Sequence, residues 1–129
     1  MKNIKDEVFE LLADTFGADH ITDVYPKDWA TLPAVQYTEE ENKTVEHDFV
    51  DDTPQECKSY VRYCVDIWDA RSTSLHAVNA DAALTGYGLV RTSCKDVADP
   101  SGLKHKQMRF EGIVDCLSDR LYWPEMNAI

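Results

Sequence analysis

Two stretches of the sequence carry apolar residues at the spacing of an amphipathic helix. The first is 2–16, with Asn3 placed to cap its beginning and Gly17 to cap its end. Its apolar stripe consists of Ile4, Val8, Leu11 and Leu12, widened by Phe9 and Phe16. The second is 73–85, ended by Gly86. Its apolar side consists of Leu75, Val78, Ala82 and Leu84.

The clearest strand pattern lies between residues 58 and 68, where side chains alternate between two faces. One face carries Val61, Tyr63, Val65 and Ile67, and the other carries Tyr60, Arg62, Cys64, Asp66 and Trp68. Further strands are predicted at 89–97 and 104–116, with shorter ones at about 21–25 and 33–38. The order of elements predicts an α+β fold in a single domain, 1–129. We expect one mainly antiparallel sheet of four to five strands, with two helices packed on one face.

The segment 39–56 is the most polar stretch of the chain. It holds eight acidic residues and one lysine, and so carries −7 of the formal net charge of −11. We expect an exposed loop or hairpin arm here, which either becomes ordered against a partner or remains a solvated loop. The stretch 117–129 has no clear period, which predicts an irregular C-terminal tail.

The acidic composition limits the classes of partner. A pI of about 4.6 argues against ordinary duplex binding, because neutralising phosphates requires clustered Lys and Arg. It argues equally against docking on anionic membranes. No apolar run approaches the roughly 20 residues that span a bilayer, and the acidic, amphipathic N-terminus is unlike a secretory signal. We therefore expect a protein made and kept in the cytoplasm, or packed into something assembled there.

No sequence motif indicates catalysis or a bound cofactor. The four histidines are scattered, the four cysteines form no C-x-x-C pair, and phosphate-binding glycine motifs are absent. A small metal-dependent enzyme would have to use two acid pairs, Asp66 with Asp69 and Asp115 with Asp119. Acid-rich chains produce such pairs by chance. We therefore expect no catalytic residue, no metal ligand and no cofactor.

The second face of the two long strands mixes aromatic, basic and acidic residues. On 104–116 this face carries His105, Gln107, Arg109, Glu111 and Ile113. Such mixtures are common at protein interfaces, although cross-strand charge pairing explains much of the same pattern. Trp29 and Trp123 are either core residues or interface anchors. The candidates for a subunit interface or channel lining are Arg62, Asp66, Trp68, Arg109 and Glu111, together with Glu39, Glu40, Glu41, Asp51 and Asp52 in the acidic segment.

Several short motifs follow one another along residues 1–116. After the first helix come Val24-Tyr25-Pro26 and then Leu32-Pro33-Ala34-Val35. The strand from Tyr60 to Trp68 ends in Val-Asp-Ile-Trp, and 106–115 reads Lys-Gln-Met-Arg-Phe-Glu-Gly-Ile-Val-Asp. In order and spacing these segments resemble the patterns Y-P … L-P-x-I, Y-x-I-D-I-W and K-x-M-R-F-x-G-x-V-D. Those patterns are typical of the tail terminator (tail completion) proteins of long-tailed bacteriophages, particularly the Gram-positive-phage branch.

This resemblance implies a structural virion protein without catalytic residues. Proteins of this family form ring-shaped caps, usually of six subunits, that bind the last ring of tail tube subunits. They stop tube growth and provide the surface that joins the head. The implied partners are other copies of the chain, the tail tube protein and a head completion or stopper protein, with DNA passing through the ring without specific binding. The implied location is the tail–neck region of the virion, assembled in the host cytoplasm.

Two alternatives remain open at this point. One is another component of the same neck, such as the head completion or stopper protein itself. The other is the small cytosolic metal-dependent enzyme that would use the acid pairs.

Overall fold

The computed structural model describes the backbone of residues 1–50 and 53–123, and the side chains of 1–45 and 58–123. The helices are α1 (Lys5–Phe16) and α2 (Ser74–Tyr87), with a short 3₁₀ turn (Ala18–His20) after α1. The strands are β1 (Ile21–Thr22), β2 (Ala34–Val50), β3 (Thr53–Asp69), β4 (Val90–Val97), β5 (Lys104–Asp115) and β6 (Leu121–Tyr122).

Within the described residues these strands form one six-stranded sheet. Its order is β1-β2-β3-β5-β4, and β6 also pairs with β5. β1 runs parallel to β2, and the other pairs are antiparallel. The α+β class and the mainly antiparallel sheet are therefore confirmed, but four to five strands was too low a number. The additional strand is β6, which lies in the stretch predicted to be irregular because two paired residues are too few to show a period.

β2 is much longer than the predicted segment 33–38. It pairs with β3 from Ala34 opposite Trp68 to Val50 opposite Thr53, so the described part of 39–56 is paired strand. β5 accompanies β3 only from Asp69 to Lys58. Beyond that point no third strand lies beside the hairpin within the described residues.

The core lies between the sheet and both helices. The predicted inward face of β3 is correct, because Val61, Tyr63, Val65 and Ile67 are all fully buried. These side chains belong to one cluster with residues of α1, α2 and β5. The members from outside β3 include Val8, Leu12, Ala80, Leu84, Met108 and Phe110. Alternation along one strand was sufficient to identify the core face.

The orientation of α2 differs from the prediction. Its buried residues are Ala77, Ala80 and Leu84. Leu75 and Val78, expected on the apolar side, are 67% and 63% exposed. The alanines bring the helix axis close to the rest of the core, whereas Leu and Val at the same positions would hold it further away. Leu75 and Val78 consequently point outward, whereas Leu84 is buried, as predicted.

The ends of the helices also differ slightly from the predictions. α1 begins at Lys5, and Asn3 accepts a 2.8 Å hydrogen bond from the Lys5 backbone N–H. Gly17 ends α1, as predicted. α2 ends at Gly88 instead of Gly86, and the φ of +123° at Gly88 is a conformation that glycine adopts without strain.

Two glycines make room for the C-terminal strand. A Cβ at Gly112 would lie 2.9 Å from a Leu121 methyl carbon, and one at Gly88 would lie 3.1 Å from the Leu121 carbonyl oxygen. Leu121 is thereby able to pack against the core cluster from β6. This close approach fixes part of the segment that the sequence predicted to be irregular.

Candidate assembly interface

A β-bulge in β2 determines which acids reach which face of the sheet. Glu39 is opposite Tyr63 and Glu41 is opposite Arg62, so Glu40 is the extra residue. The Tyr63 hydroxyl donates a 2.9 Å hydrogen bond to Glu39 Oε1, which places Glu39 on the helix side of the sheet. Glu40 instead contacts arginines on the opposite side, which we call the network face. This face carries Glu40, Tyr60, Arg62, Asp66, Trp68, His105, Gln107, Arg109 and Glu111.

Glu40 joins two arginines from neighbouring strands. Arg109 donates from Nε to Glu40 Oε1 at 2.9 Å and from Nη2 to Oε2 at 3.2 Å, while Arg62 Nε donates to Oε1 at 3.1 Å. Burial raises the pKa of the Glu40 carboxyl, but the hydrogen bonds and charges of the two arginines outweigh it, and the net pKa is lowered. This carboxylate therefore stays ionised and ties β2 to β3 and β5.

The hydrogen-bond chain continues along β5 towards the other end of the sheet. Arg109 Nη1 donates to Gln107 Oε1 at 3.2 Å, and Gln107 Nε2 donates to Asp66 Oδ1, also at 3.2 Å. His105 Nε2 donates to the same Asp66 oxygen at 2.7 Å. Asp66 is only 9% exposed, so these donors supply the partners that its carboxylate needs away from water.

An aromatic cluster closes this end of the network face. The His105 ring stacks on Trp68 with their centroids 4.4 Å apart, and the Trp68 indole donates to Asp99 Oδ2 at 2.7 Å. Hydrogen bonds from the Ser101 backbone N–H and from Trp68 lower the pKa of Asp99. The chain between β1 and β2 lies over Trp68, with Trp29 at 5.5 Å and Tyr25 at 5.6 Å between ring centroids.

This cover changes the role of Trp68 as an interface candidate. Trp68 is 2% exposed and lies beneath a turn of its own chain, so it presents no surface to a partner in this structure. Trp29 is half-buried in the same cluster. Tyr25, in contrast, is 57% exposed while one edge of its ring contacts the tryptophans. The second face of the sheet thus contains a small aromatic core that sequence alternation alone did not predict.

Glu111 lies at the opposite end of the network face. The Tyr60 hydroxyl donates a hydrogen bond to its carboxylate. Burial, with the neighbouring Glu111 charge, raises the pKa of Tyr60. The Tyr60 ring also approaches Trp123, with the two centroids 6.1 Å apart. Trp123 is therefore half-buried beside the base of the β2–β3 hairpin.

The predicted interface residues separate into three groups. Arg62, Asp66, Arg109 and Glu111 come together with Glu40 on one face, whereas Glu39 points to the helix side and Glu41 is half-buried opposite Arg62. Asp51 and Asp52 lie outside the described residues. His105, Gln107 and Asp99 complete the network but were not among the candidates. Alternation along β5 was a usable signal for the first two, whereas Asp99 lies in a turn without any period.

The β2–β3 hairpin extends beyond the rest of the sheet. The last pair between β3 and β5 is Lys58 with Asp115, whereas β2 and β3 remain paired as far as Val50 and Thr53. Five residues of strand correspond to roughly 17 Å at about 3.4 Å per residue. We call the projecting part, 46–50 together with 53–57, the acidic ribbon, because it contains Glu46, Asp48 and Glu56.

The acid pairs proposed for a metal enzyme are occupied by other contacts. Asp66 lies on the network face, but Asp69 accepts a 2.7 Å hydrogen bond from His76 Nε2 of α2. Asp115 Oδ1 accepts from the backbone N–H groups of residues 117 and 118, and Asp119 pairs with Lys2 at 2.8 Å. Among the described side chains, no group of three or more His, Cys, Asp or Glu is arranged to hold a metal ion.

Comparison with known proteins assigns neither a family nor a function to this chain. No protein-family model matches the chain, and no curated protein matches it. In the described part of the chain, neither helix combines the length and the apolar character needed to cross a bilayer. A functional assignment therefore depends on the geometry of this chain and on the motifs of its sequence.

Proposed function

We propose that this chain is a structural virion protein that caps a phage tail tube as a ring, stops tube growth and forms the surface that joins the head. The observation that carries the proposal is the acidic ribbon, which projects past the sheet and pairs only within itself in the described residues. An isolated two-stranded hairpin is at best marginally stable in water. A ribbon of this length is therefore expected to be covered by a neighbouring protein.

The charge of the ribbon supports the same proposal. The sequence places five acids within residues 46–56, and like charges so close along a chain repel one another, which disfavours a ribbon that stands alone in water. Basic groups on a neighbouring subunit or on the tail tube would relieve that repulsion. If the acids instead line the channel, their negative charge would repel DNA phosphates and keep the passage free, in a ring whose six whole copies carry about −66 formal charges.

The residues on the two sheet faces support a protein whose surface is covered by other subunits on several sides. In our proposal both helices cover one face and close the core, and copies or neighbours contact the remaining surfaces. The side chains of Arg62, Arg109 and Glu40 are 36%, 31% and 23% exposed, so the centre of the network face is still open to a partner. Charges already paired within one chain can take part in such a contact without leaving an isolated buried charge.

The test is electron microscopy of tails made in a phage from which the gene for this chain has been deleted. We expect abnormally long tails without heads, because nothing would stop tube polymerisation. Supplying the intact chain should restore a uniform tail length. A variant in which an Asn-Gly turn replaces residues 46–57 should remain folded, with an unchanged thermal midpoint, but should fail to restore tail length.

The other outcomes assign different functions. Tails of normal length that lack heads would favour a head completion or stopper protein. Normal tails with normal heads would contradict any role at the neck. If the ribbon-deleted variant restored tail length fully, the ribbon would not be the assembly element.

A further inference from the structure

A cavity with a volume of about 630 Å³ lies where α2 begins. One wall is the segment 71–74, which leads into the helix, and the other consists of 96–99 and 102–106, around the turn between β4 and β5. A volume of several hundred Å³ is in the range of small-molecule pockets. The cavity is therefore large enough for a small ligand, and the free groups in its lining decide which chemistry that ligand needs.

Three basic and two acidic side chains line this cavity. Lys106 pairs with Asp96 at 2.8 Å, so these two charges cancel. Lys106 is also the main cause of the lowered pKa of Asp96, to which Lys104 contributes less. Arg71 and Lys104 are both exposed, and neither makes an ion pair with a described residue. Two cationic groups are thus available to a ligand in the cavity.

The second acidic residue of the lining, Asp99, is directed at its own donors. Its Oδ2 accepts from the Trp68 indole at 2.7 Å, and its Oδ1 accepts from the Ser101 backbone N–H at 3.0 Å. The Asp99 side chain is only 5% exposed, so it offers little surface to a ligand. The formal charge of the whole lining is therefore +1, with both free charges positive.

The beginning of α2 adds hydrogen-bond donors and a partial positive charge. The Ser74 N–H bonds to Ser72 Oγ at 3.2 Å, whereas the N–H groups of residues 75 and 76 have no backbone or side-chain acceptor among the described residues. The first N–H groups of an α-helix carry partial positive charge, which attracts anions. α1 has Asp6 and Glu7 in its first turn, but α2 has no acidic residue there. The chain itself therefore supplies no negative charge to this helix end.

The N-cap residue of α2, Thr73, points independently to a missing ligand. Thr73 is only 5% exposed, yet its hydroxyl makes no cap hydrogen bond and no other hydrogen bond to a described residue. An N-cap threonine usually bonds to the first turn of its helix, and a buried hydroxyl without a partner is costly. Among the described side chains, the polar atoms enclosed without a partner belong to Asn42 and Asp81. The Thr73 hydroxyl is not enclosed in this way, and it therefore opens into the cavity that Thr73 lines.

We infer that this cavity binds the phosphate group of a small molecule. Arg71 and Lys104 supply the positive charge, the Thr73 hydroxyl donates to a phosphate oxygen, and the N-terminus of α2 adds its partial charge. A guanidinium group and a phosphate match in geometry, because each offers several hydrogen-bonding atoms in a fixed arrangement. Val97 and Leu103 give the cavity an apolar wall for the organic part of such a molecule.

The charge of the chain limits the ligand to a single phosphate group. Successive phosphates of a nucleic acid need clustered basic residues along their path, and this chain carries a formal charge of −11. The cavity instead provides two free cations at one place. The inference does not rest on the proposed ring, and the proposed function would stand without it.

Isothermal titration calorimetry of the full chain with inorganic phosphate and with glycerol phosphate tests the site. Sodium chloride keeps the ionic strength constant, because any added salt screens a chain of this charge. We expect saturable binding of one phosphate per chain with a Kd of about 1 mM or lower. Glycerol phosphate should bind at least as tightly as inorganic phosphate, and a short DNA duplex should not bind.

Two substitutions in the lining and one outside it locate the binding. Arg71→Ala and Thr73→Val should each weaken phosphate binding at least about tenfold, because each removes a donor to a charged group. Lys95→Ala is the control, since Lys95 is exposed, lies outside the cavity and changes the net charge by the same amount as Arg71→Ala. Its affinity should stay within about twofold of the intact chain.

Thermal unfolding without phosphate separates a ligand-binding role of Thr73 from a structural one. The Thr73 hydroxyl has no partner in the described chain, so Thr73→Val should leave the thermal midpoint unchanged or raise it. Added phosphate should raise the midpoint of the intact chain, because a ligand that binds the folded state stabilises it. If Thr73→Val failed to fold, the exposed Arg71→Ala would decide the test alone.

Three results would overturn the inference. The first is the absence of saturable binding with either phosphate probe up to roughly 10 mM. The second is an equal loss of affinity in Lys95→Ala and Arg71→Ala, which would show a diffuse effect of charge. The third is binding of the DNA duplex without binding of phosphate. None of these results would change the tail length expected in the deletion phage.

Discussion

The two helices distribute their large apolar side chains differently between the core and the surface. α1 buries Val8 and Leu12 completely and exposes acidic residues such as Glu10 and Asp14. α2 buries Ala77 and Ala80 with a single large side chain, Leu84, and exposes Leu75 and Val78. Burial of a large aliphatic side chain contributes roughly 1.5–3 kcal/mol, whereas an alanine contributes less. α1 is thus stabilised by contacts within its own chain. Part of the apolar surface of α2 stays exposed and is available for a contact with another molecule.

The largest expected effect is the loss of a core side chain from α1. Leu12→Ala should lower the free energy of unfolding by about 3 kcal/mol, because it removes buried apolar atoms and leaves a cavity. Urea denaturation of the purified chain measures the change. The matched variant on the other helix, Leu75→Ala, should change it by less than about 0.5 kcal/mol. Equal losses in the two variants would show that the helices do not differ.

The second test enlarges a buried alanine of α2. Ala80→Leu should destabilise the fold by about 2 kcal/mol, because Ala80 is fully buried in the core cluster and extra methyl groups would force the helix away from it. Ala82→Leu on the exposed side of the same helix is the control and should be nearly neutral. Both are measured by thermal and urea unfolding. Comparable destabilisation by Ala82→Leu would contradict the orientation of α2.

The third test concerns the contact that fixes the beginning of α2. His76 of α2 donates to Asp69 and lies 5.9 Å from the Phe16 ring of α1, measured between ring centroids. Burial raises the pKa of Asp69, but hydrogen bonds from His76 and from the backbone N–H groups of residues 70 and 71 outweigh it, and the net pKa is lowered. Asp69→Asn should therefore cost about 1 kcal/mol at neutral pH.

The lowered pKa gives this variant a pH signature. A carboxyl with a depressed pKa contributes stability above its ordinary value of 3.8 and loses it as the pH falls through the folded-state pKa. The difference between the intact chain and Asp69→Asn should thus shrink below about pH 4. Urea midpoints at pH 7 and pH 3 measure it. A constant difference at both pH values would mean that the charge of Asp69 has no part in the effect.

The smallest expected change in the free energy of unfolding comes from a substitution on the exposed side of α2, and it tests whether that side contacts another copy. Leu75→Ser should leave the free energy of unfolding within about 0.5 kcal/mol of the intact chain, since its side chain is mostly in water. The same change should weaken self-association measured by light scattering. A large loss of stability would place Leu75 inside the fold of one chain. Unchanged self-association would mean that Leu75 takes no part in a contact between copies.

For the candidate site, the sequence predicted correctly which residues of β3 share the network face. Alternation placed Arg62 and Asp66 on the same face, and the structure links both through Glu40, Arg109 and Gln107. The bulge that brings Glu40 to the arginines was not predictable, because three consecutive glutamates give no signal of where an extra residue enters a strand. The cover over Trp68 was missed because a turn has no period.

Periodicity along the sequence determined the class of fold, both helices and the core face of β3, and the residue content located the surplus of acid in the first half of the chain. These features depend on neighbouring residues along the chain, so the order of the sequence contains them. Only the tertiary structure decided which side of α2 is buried, how far the β2–β3 hairpin projects and which acid meets the arginines. Each of these depends on close packing between segments far apart in the sequence, and apolar character alone does not specify which surfaces fit together.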